Sequence, residues 1–180
     1  MKLTVSSVIN EVADVAITID GYIPLDIKFI DYEKHPPFYW RVGNGQKSLL
    51  ELAVLPQNGF LSSITLVMIE PSLIHKKDPL LINLSDNVEG LPVVDTTIWE
   101  CLGNDDFSQR FIDDFNLGIQ TIVSNSSILL IIGEDKKSIK WIKCSEAFYL
   151  GIDDEKNIVN LFLKNLTEKE MENFFEAVFI

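Results

Sequence analysis

Apolar and polar residues alternate along most of this chain, and a period of two favours strands with one buried face. In residues 13–20 the odd positions Ala13, Val15, Ile17 and Ile19 are apolar, and the even ones are mostly polar or small. After Gly21, the residues Leu25, Ile27 and Phe29 alternate with Asp26 and Lys28. Tyr39-Trp40-Arg41-Val42 runs into Gly43-Asn44-Gly45, a tight-turn signal. In residues 48–55, positions 50, 52 and 54 are apolar on one face and 49, 53 and 55 on the other. Pro56-Gln57-Asn58-Gly59 then separates this run from residues 60–69, which makes the clearest hairpin in the chain.

The pattern loosens over residues 70–98, where Pro71, Pro79 and Pro92 interrupt it. Proline is confined to strand ends, edges and loops, so this region reads as a long connection carrying edge strands, with residues 80–84 as a short strand. Asn104-Asp105-Asp106 is placed to cap a short helix along which Phe107, Phe111, Ile112 and Phe115 repeat at helical spacing. Alternation resumes through Leu117, Ile119, Thr121 and Val123. Further strands follow at 128–132, 139–143, 148–152 and 158–163, the last two joined by the polar loop 153–157. The final element differs in kind. Thr167-Glu168-Lys169-Glu170 is a capping box, Leu166 and Met171 are spaced as a hydrophobic staple, and Met171, Phe174, Phe175 and Val178 share one helical face. The expected fold is therefore mainly β within the α+β class: antiparallel, sandwich-like sheets with a C-terminal helix and one short internal helix. At 180 residues and 47% apolar, the chain suits one domain over 1–180 with a substantial core, and disorder is excluded. The longest clean apolar run, 128–132, is far below the roughly 20 residues a membrane-spanning helix needs.

Motifs for catalysis are missing. His35, His75, Cys101 and Cys144 are too far apart for the close pairs that zinc motifs use, so no metal is expected. His35 precedes Pro36-Pro37 and His75 precedes Lys76-Lys77, and both read as exposed loop residues. The two cysteines read as reduced, buried thiols. There is no Gly-x-Ser-x-Gly elbow. Gly43-Asn44-Gly45-Gln46-Lys47-Ser48 lacks the glycine before Lys-Ser that a phosphate loop needs, and its flanks are strands. The pairs Asp105-Asp106, Asp113-Asp114 and Asp153-Asp154 are poor catalytic dyads, because neighbours on a strand or helix diverge. Asp153-Asp154-Glu155 reads as a solvated hairpin loop. No catalytic residue, cofactor or metal is assigned.

Charge is the feature left to explain. The chain holds 27 acidic and 15 basic residues, a formal net charge of −12. Residues 86–118 contain Asp86, Glu89, Asp95, Glu100, Asp105, Asp106, Asp113 and Asp114 against Arg110 alone. Such a surface attracts a basic partner and speeds its capture, or it serves only solubility. Trp99, Phe107, Phe111 and Phe115 lie close by as interface anchors or as core. Direct binding of nucleic acid is disfavoured, because the acidic surplus repels phosphate. The N-terminus is broken early by Ser6, Ser7, Asn10 and Glu11, too polar for a signal peptide, so a cytoplasmic location is expected.

Two stretches resemble immunity proteins of bacterial polymorphic-toxin systems, including contact-dependent growth inhibition. One is Trp40-Arg41-Val42-Gly43 with Ser48-Leu49-Leu50-Glu51-Leu52, the Asn58-Gly59 turn and Leu61-Ser62-Ser63-Ile64-Thr65-Leu66-Val67. The other is Phe148-Tyr149-Leu150-Gly151-Ile152-Asp153 followed, after a hairpin, by Lys164-Asn165-Leu166-Thr167-Glu168-Lys169-Glu170. The resemblance implies a cytoplasmic, non-enzymatic inhibitor that binds one cognate toxin domain, many such domains being basic nucleases. Asp105, Asp106, Asp113 and Asp114 are then the candidate protein-binding residues. Two alternatives stay open: an enzyme whose site is assembled from scattered residues, and an adaptor that oligomerises through a β edge near 70–98.

Overall fold

The computed structural model describes residues 2–10, 14–29, 36–100, 110–133, 138 and 140–179. Its strands are β1 (Val5–Ile9), β2 (Ala16–Thr18), β3 (Leu25–Lys28), β4 (Phe38–Gly43), β5 (Ser48–Val54), β6 (Leu61–Ile69), β7 (Ile74–Lys76), β8 (Asn87–Glu89) and β9 (Leu91–Val94). After the short helix α1 (Thr97–Glu100) come β10 (Phe111–Asp114), β11 (Ile119–Val123), β12 (Ile128–Ile132), β13 (Lys140–Lys143), β14 (Phe148–Ile152), β15 (Ile158–Leu163) and the helix α2 (Glu168–Val178).

These strands make a six-stranded sheet in the order β10-β4-β5-β6-β3-β2 and a seven-stranded sheet in the order β7-β11-β12-β15-β14-β13-β8. The inward residues of both, among them Trp40, Leu50, Leu52, Ile64, Leu130, Leu150 and Leu161, fill one shared core. Phe29 meets Phe148 edge-on across it, with ring centroids 5.8 Å apart. A ribbon of β1 and β9 ties the sheets together: Thr4 bridges to Asn157 beside β15, and Val93 to Phe60 beside β6. The β4–β5 turn works as its glycines imply. Gly43 has φ +120, where a Cβ would sit 2.2 Å from the Ser48 carbonyl oxygen.

Mainly antiparallel pairing and the C-terminal helix agree with the sequence. Three strands depart from the antiparallel expectation. β7, β8 and β10 each join their sheet in parallel, beside β11, β13 and β4. The internal helix is also misplaced, because residues 111–114 form β10. Pairing with β4 sets Ile112 opposite Trp40 and Asp114 opposite Val42, and this sheet contact outweighs the helical spacing. Residues 104–109 of that expected helix lie outside the described residues. The internal helix that is seen, α1, is only four residues long and lies upstream.

Residues 80–84 do not pair as a strand, although they keep their alternation. Leu80, Ile82 and Leu84 press on the outer face of the seven-stranded sheet against Leu129, Trp141, Tyr149 and Phe162, while Leu81 is 83% exposed. Topology explains why. β7 and β8 are opposite edges of that sheet, so the connection must cross six inter-strand gaps, about 29 Å at ~4.8 Å each. The eleven steps from Lys76 to Asn87 span at most about 36–40 Å, so the segment is a nearly taut strap. Asn125 fastens its start by donating to Asp78 at 2.6 Å.

Helix α2 begins at the expected capping box: Thr167 accepts from the Glu170 amide, and the Glu170 carboxylate accepts from the Thr167 amide. Met171, Phe174 and Val178 are buried in the core, each contributing about 1.5–3 kcal/mol. The helix closes one side of the sandwich. Asn173 donates to the Ile19 carbonyl just past β2 at 2.8 Å, and the Lys76 ammonium at the end of β7 lies 5.0 Å from the Phe175 ring centroid. β8 and β10 are the edges of their sheets opposite β7 and β2, and both fall within the acidic stretch 86–118.

Candidate functional site

The two outer faces of the sandwich differ. The strap covers part of the seven-stranded face, while the outward side chains of the six-stranded sheet are half-buried or exposed except for Ala53. Because Trp40, Val42, Leu50, Leu52, Ile64, Leu66, Leu25 and Ile27 point inward, their neighbours point out. Register aligns Asp113, Arg41, Glu51, Thr65, Asp26 and Thr18 in one polar row across all six strands. Beside it runs a second row of Phe111, Tyr39, Ala53, Ser63, Lys28 and Ala16.

The β10 end of this face is rigidly organised. Arg41 grips Asp113 bidentately, Nε to Oδ1 at 2.6 Å and Nη2 to Oδ2 at 2.9 Å. The same guanidinium lies 4.6 Å from the Phe111 ring centroid, and Phe111 stacks on Tyr39 with centroids 4.9 Å apart. Glu51 sits half-buried beside this pair, and no described residue donates a hydrogen bond to it. Burial raises its carboxyl above the ordinary value, Arg41 pulls it down and Asp113 adds to the rise. Burial, and then the nearness of Glu51, raises the Tyr39 hydroxyl as well. Farther along the row, Thr65 donates to Asp26 at 2.8 Å, and Lys28 lies 4.0 Å from that carboxylate.

The acidic candidates divide. Asp113 is exposed on the open face. Asp114, one residue on, faces inward and is buried, the divergence expected of strand neighbours. Asp105 and Asp106 lie outside the described residues. Of the nearby aromatics, Trp99 is core, stacked on Phe38 and donating from its indole to the Arg110 carbonyl at 3.2 Å. Phe111 lies on the open face and Phe115 is 42% exposed, while Phe107 is outside the described residues. Arg41, Tyr39 and Glu51 were not singled out from the sequence. The β4–β5 hairpin already implied the Arg41–Glu51 pairing, but nothing local signalled that β10 would dock beside Arg41.

Among the described residues His75 and Cys144 do not converge. His75 is exposed, on β7 where a loop was expected; His35 and Cys101 lie outside the described residues. Cys144 is buried and its thiol is pushed up to about 12 by desolvation, the inert thiol expected. Among the described residues no three His, Cys, Asp or Glu side chains gather as a metal site. Two clefts of about 510 Å³ flank α2 and β11, and neither is lined by histidine or cysteine. Asp153 corrects the reading of 153–155 as a solvated loop. It is buried, and its carboxylate accepts from the Glu155 amide and from the amide and side chain of Asn157.

No protein-family model matches the chain. It is 55% identical over 85 residues to "Immunity protein CdiI-1" of Escherichia coli O157:H7 (strain EC869), an alignment covering 47% of this chain and 99% of that protein. The chain belongs to the CdiI immunity-protein family. The resemblance seen in its sequence is thereby borne out: this is a bacterial immunity protein of contact-dependent growth inhibition, a toxin inhibitor. More than half of the chain lies beyond the aligned region. No helix among the described residues is long and apolar enough to cross a membrane.

Proposed function

We propose that this chain is a stoichiometric, non-enzymatic inhibitor that binds its cognate, basic, nuclease-type toxin domain in the cytoplasm and needs no cofactor, nucleic acid or membrane to do so. The observation that carries this reading is the match to a CdiI immunity protein, in a chain that concentrates eight acidic residues against one basic residue in 86–118. An acidic stretch of this kind steers a basic partner into place. Asp105 and Asp106 supply charge that the toxin meets, and Asp113 meets it as a pair with Arg41. Asp114 serves the same surface indirectly, by anchoring β10 from within. The whole of 1–180 acts as one domain, a reading supported by a core that draws on both sheets, the β1–β9 ribbon and α2.

Association kinetics test it. The partner is the toxin domain at the C-terminus of the large secreted protein expected from the adjoining reading frame. Reversing Asp105, Asp106 and Asp113 to lysine slows association by about tenfold or more at low ionic strength, and the difference shrinks as salt is added. An unchanged on-rate with an unchanged salt dependence refutes the acidic-surface reading.

A further inference from the structure

Seven large apolar side chains are exposed among the described residues: Tyr22, Ile23, Val67, Met68, Leu81, Phe115 and Phe179. Five of them fall at one end of the six-stranded sheet. Leu25 pairs with Leu66 in antiparallel register, so Ile23 and Tyr22, running back from β3, lie alongside Val67 and Met68, running on along β6. Leu49 pairs with Met68, which brings the β4–β5 turn next to them. A register shift between Leu49 and Leu50 leaves Val67 unpaired, so Val67 and Met68 are both exposed. Phe115, just past β10, sits over Gly45 of that turn, where a Cβ would lie 3.5 Å from its ring.

Two turns hold this rim in shape. Asp20 accepts from the amides of Tyr22 (2.9 Å) and Ile23 (3.0 Å). Asn44 accepts from the amides of Gln46, Lys47 and Ser48. Such side-chain-to-backbone bonds preorganise loops and lower the ordering cost of binding. The polar row with Glu51 at its centre lies just inside the rim.

We propose that the toxin docks on this open face, seating an apolar surface on the rim of Phe115, Met68, Val67, Ile23 and Tyr22 and placing a lysine or arginine on Glu51. The proposal rests on the toxin-inhibitor reading above and locates its surface. Charge selects the occupant. On this face Arg41 grips Asp113 and reaches Glu51 through charge alone, and Lys28 lies beside Asp26, so the Asp113–Arg41–Glu51 cluster holds one cation against two carboxylates. In a chain of net charge −12, a second copy brings like charge to this face, whereas a basic partner supplies the missing cation. Burial already disfavours an ionised Glu51, so an incoming cation is most useful there.

The test measures binding of the full chain to the same toxin domain. Tyr22→Ser combined with Met68→Ser raises Kd about 100-fold, mostly through faster dissociation. Glu51→Gln raises it about tenfold, and Glu51→Asp restores part of the loss. Leu81→Ser, on the strap of the other sheet, leaves Kd within about twofold. All are checked for native circular dichroism and melting. If folded rim and Glu51 variants bind as tightly as the parent while reversal of Asp105 and Asp106 alone still slows association, the rim proposal is overturned and the toxin reading stands. A parent chain that fails to bind the toxin overturns both. A self-associated parent that the rim substitutions convert to monomer assigns the rim to a second copy and overturns the proposal.

Discussion

Asp153→Ala is the substitution whose cost can be worked most directly from the coordinates. The carboxylate is 4% exposed and accepts from the Glu155 amide at 3.0 Å, the Asn157 amide at 2.8 Å and the Asn157 side chain at 3.1 Å. Lys2 lies 3.7 Å away. Asn157, held in this way, accepts from Thr4 at 3.0 Å, and the same turn bonds the N-terminal segment through Val5 to the Lys156 carbonyl and Ile158 to the Leu3 carbonyl. Hydrogen bonds to a charged group contribute about 1.5 kcal/mol or more each, and Asn157 keeps Glu155 as one alternative acceptor, so the loss is about 3–4 kcal/mol. For a chain of this length that lowers Tm by about 10 °C. Urea unfolding followed by tryptophan fluorescence measures it, with an unchanged m-value showing that stability alone has moved. Asp154→Ala, exposed next door, stays within about 0.5 kcal/mol. A loss below about 1 kcal/mol for Asp153→Ala refutes the idea that this carboxylate organises the turn.

Three further outcomes are expected. Cys144 resists thiol-blocking reagents at pH 8 in the native protein and reacts once the chain is unfolded, as peptide mass mapping will show. Its protonated thiol also makes stability pH-dependent. The unfolded thiol ionises near its ordinary value of 9.0 and the folded one only near about 12, so the contribution is complete below the first value and is lost between the two, by up to about 1.4 kcal/mol per pH unit. Thr167→Ala removes the α2 cap and costs about 1 kcal/mol in thermal or urea unfolding. On the strap, Ile82→Ser costs about 1–2 kcal/mol and Leu81→Ser almost nothing, because only the even positions meet the sheet.

Local rules made much of the fold readable. Alternation located β3 to β6 and β11 to β15, glycine and asparagine located the hairpin turns, and the capping box located the start of α2. What escaped depends on distant partners. Residues 111–114 carry a helical spacing, and only the neighbouring β4 makes them a strand. Residues 80–84 carry a strand's alternation but bind a sheet face through side chains alone. The loop 153–157 looks like any charged hairpin until the N-terminal segment packs on it and buries Asp153. At the candidate site the sequence made the acid excess legible. It concealed the Arg41–Glu51 neighbourhood and the apolar rim, because both arise from register between strands far apart in the chain.

The taut crossing from β7 to β8 couples events at the two far margins of its sheet. With about 7–11 Å to spare, either margin can move only a couple of strand spacings before it pulls on the other. The same shortage limits how the protein can diversify. Inserting another strand between those margins would demand a longer tether at the same time.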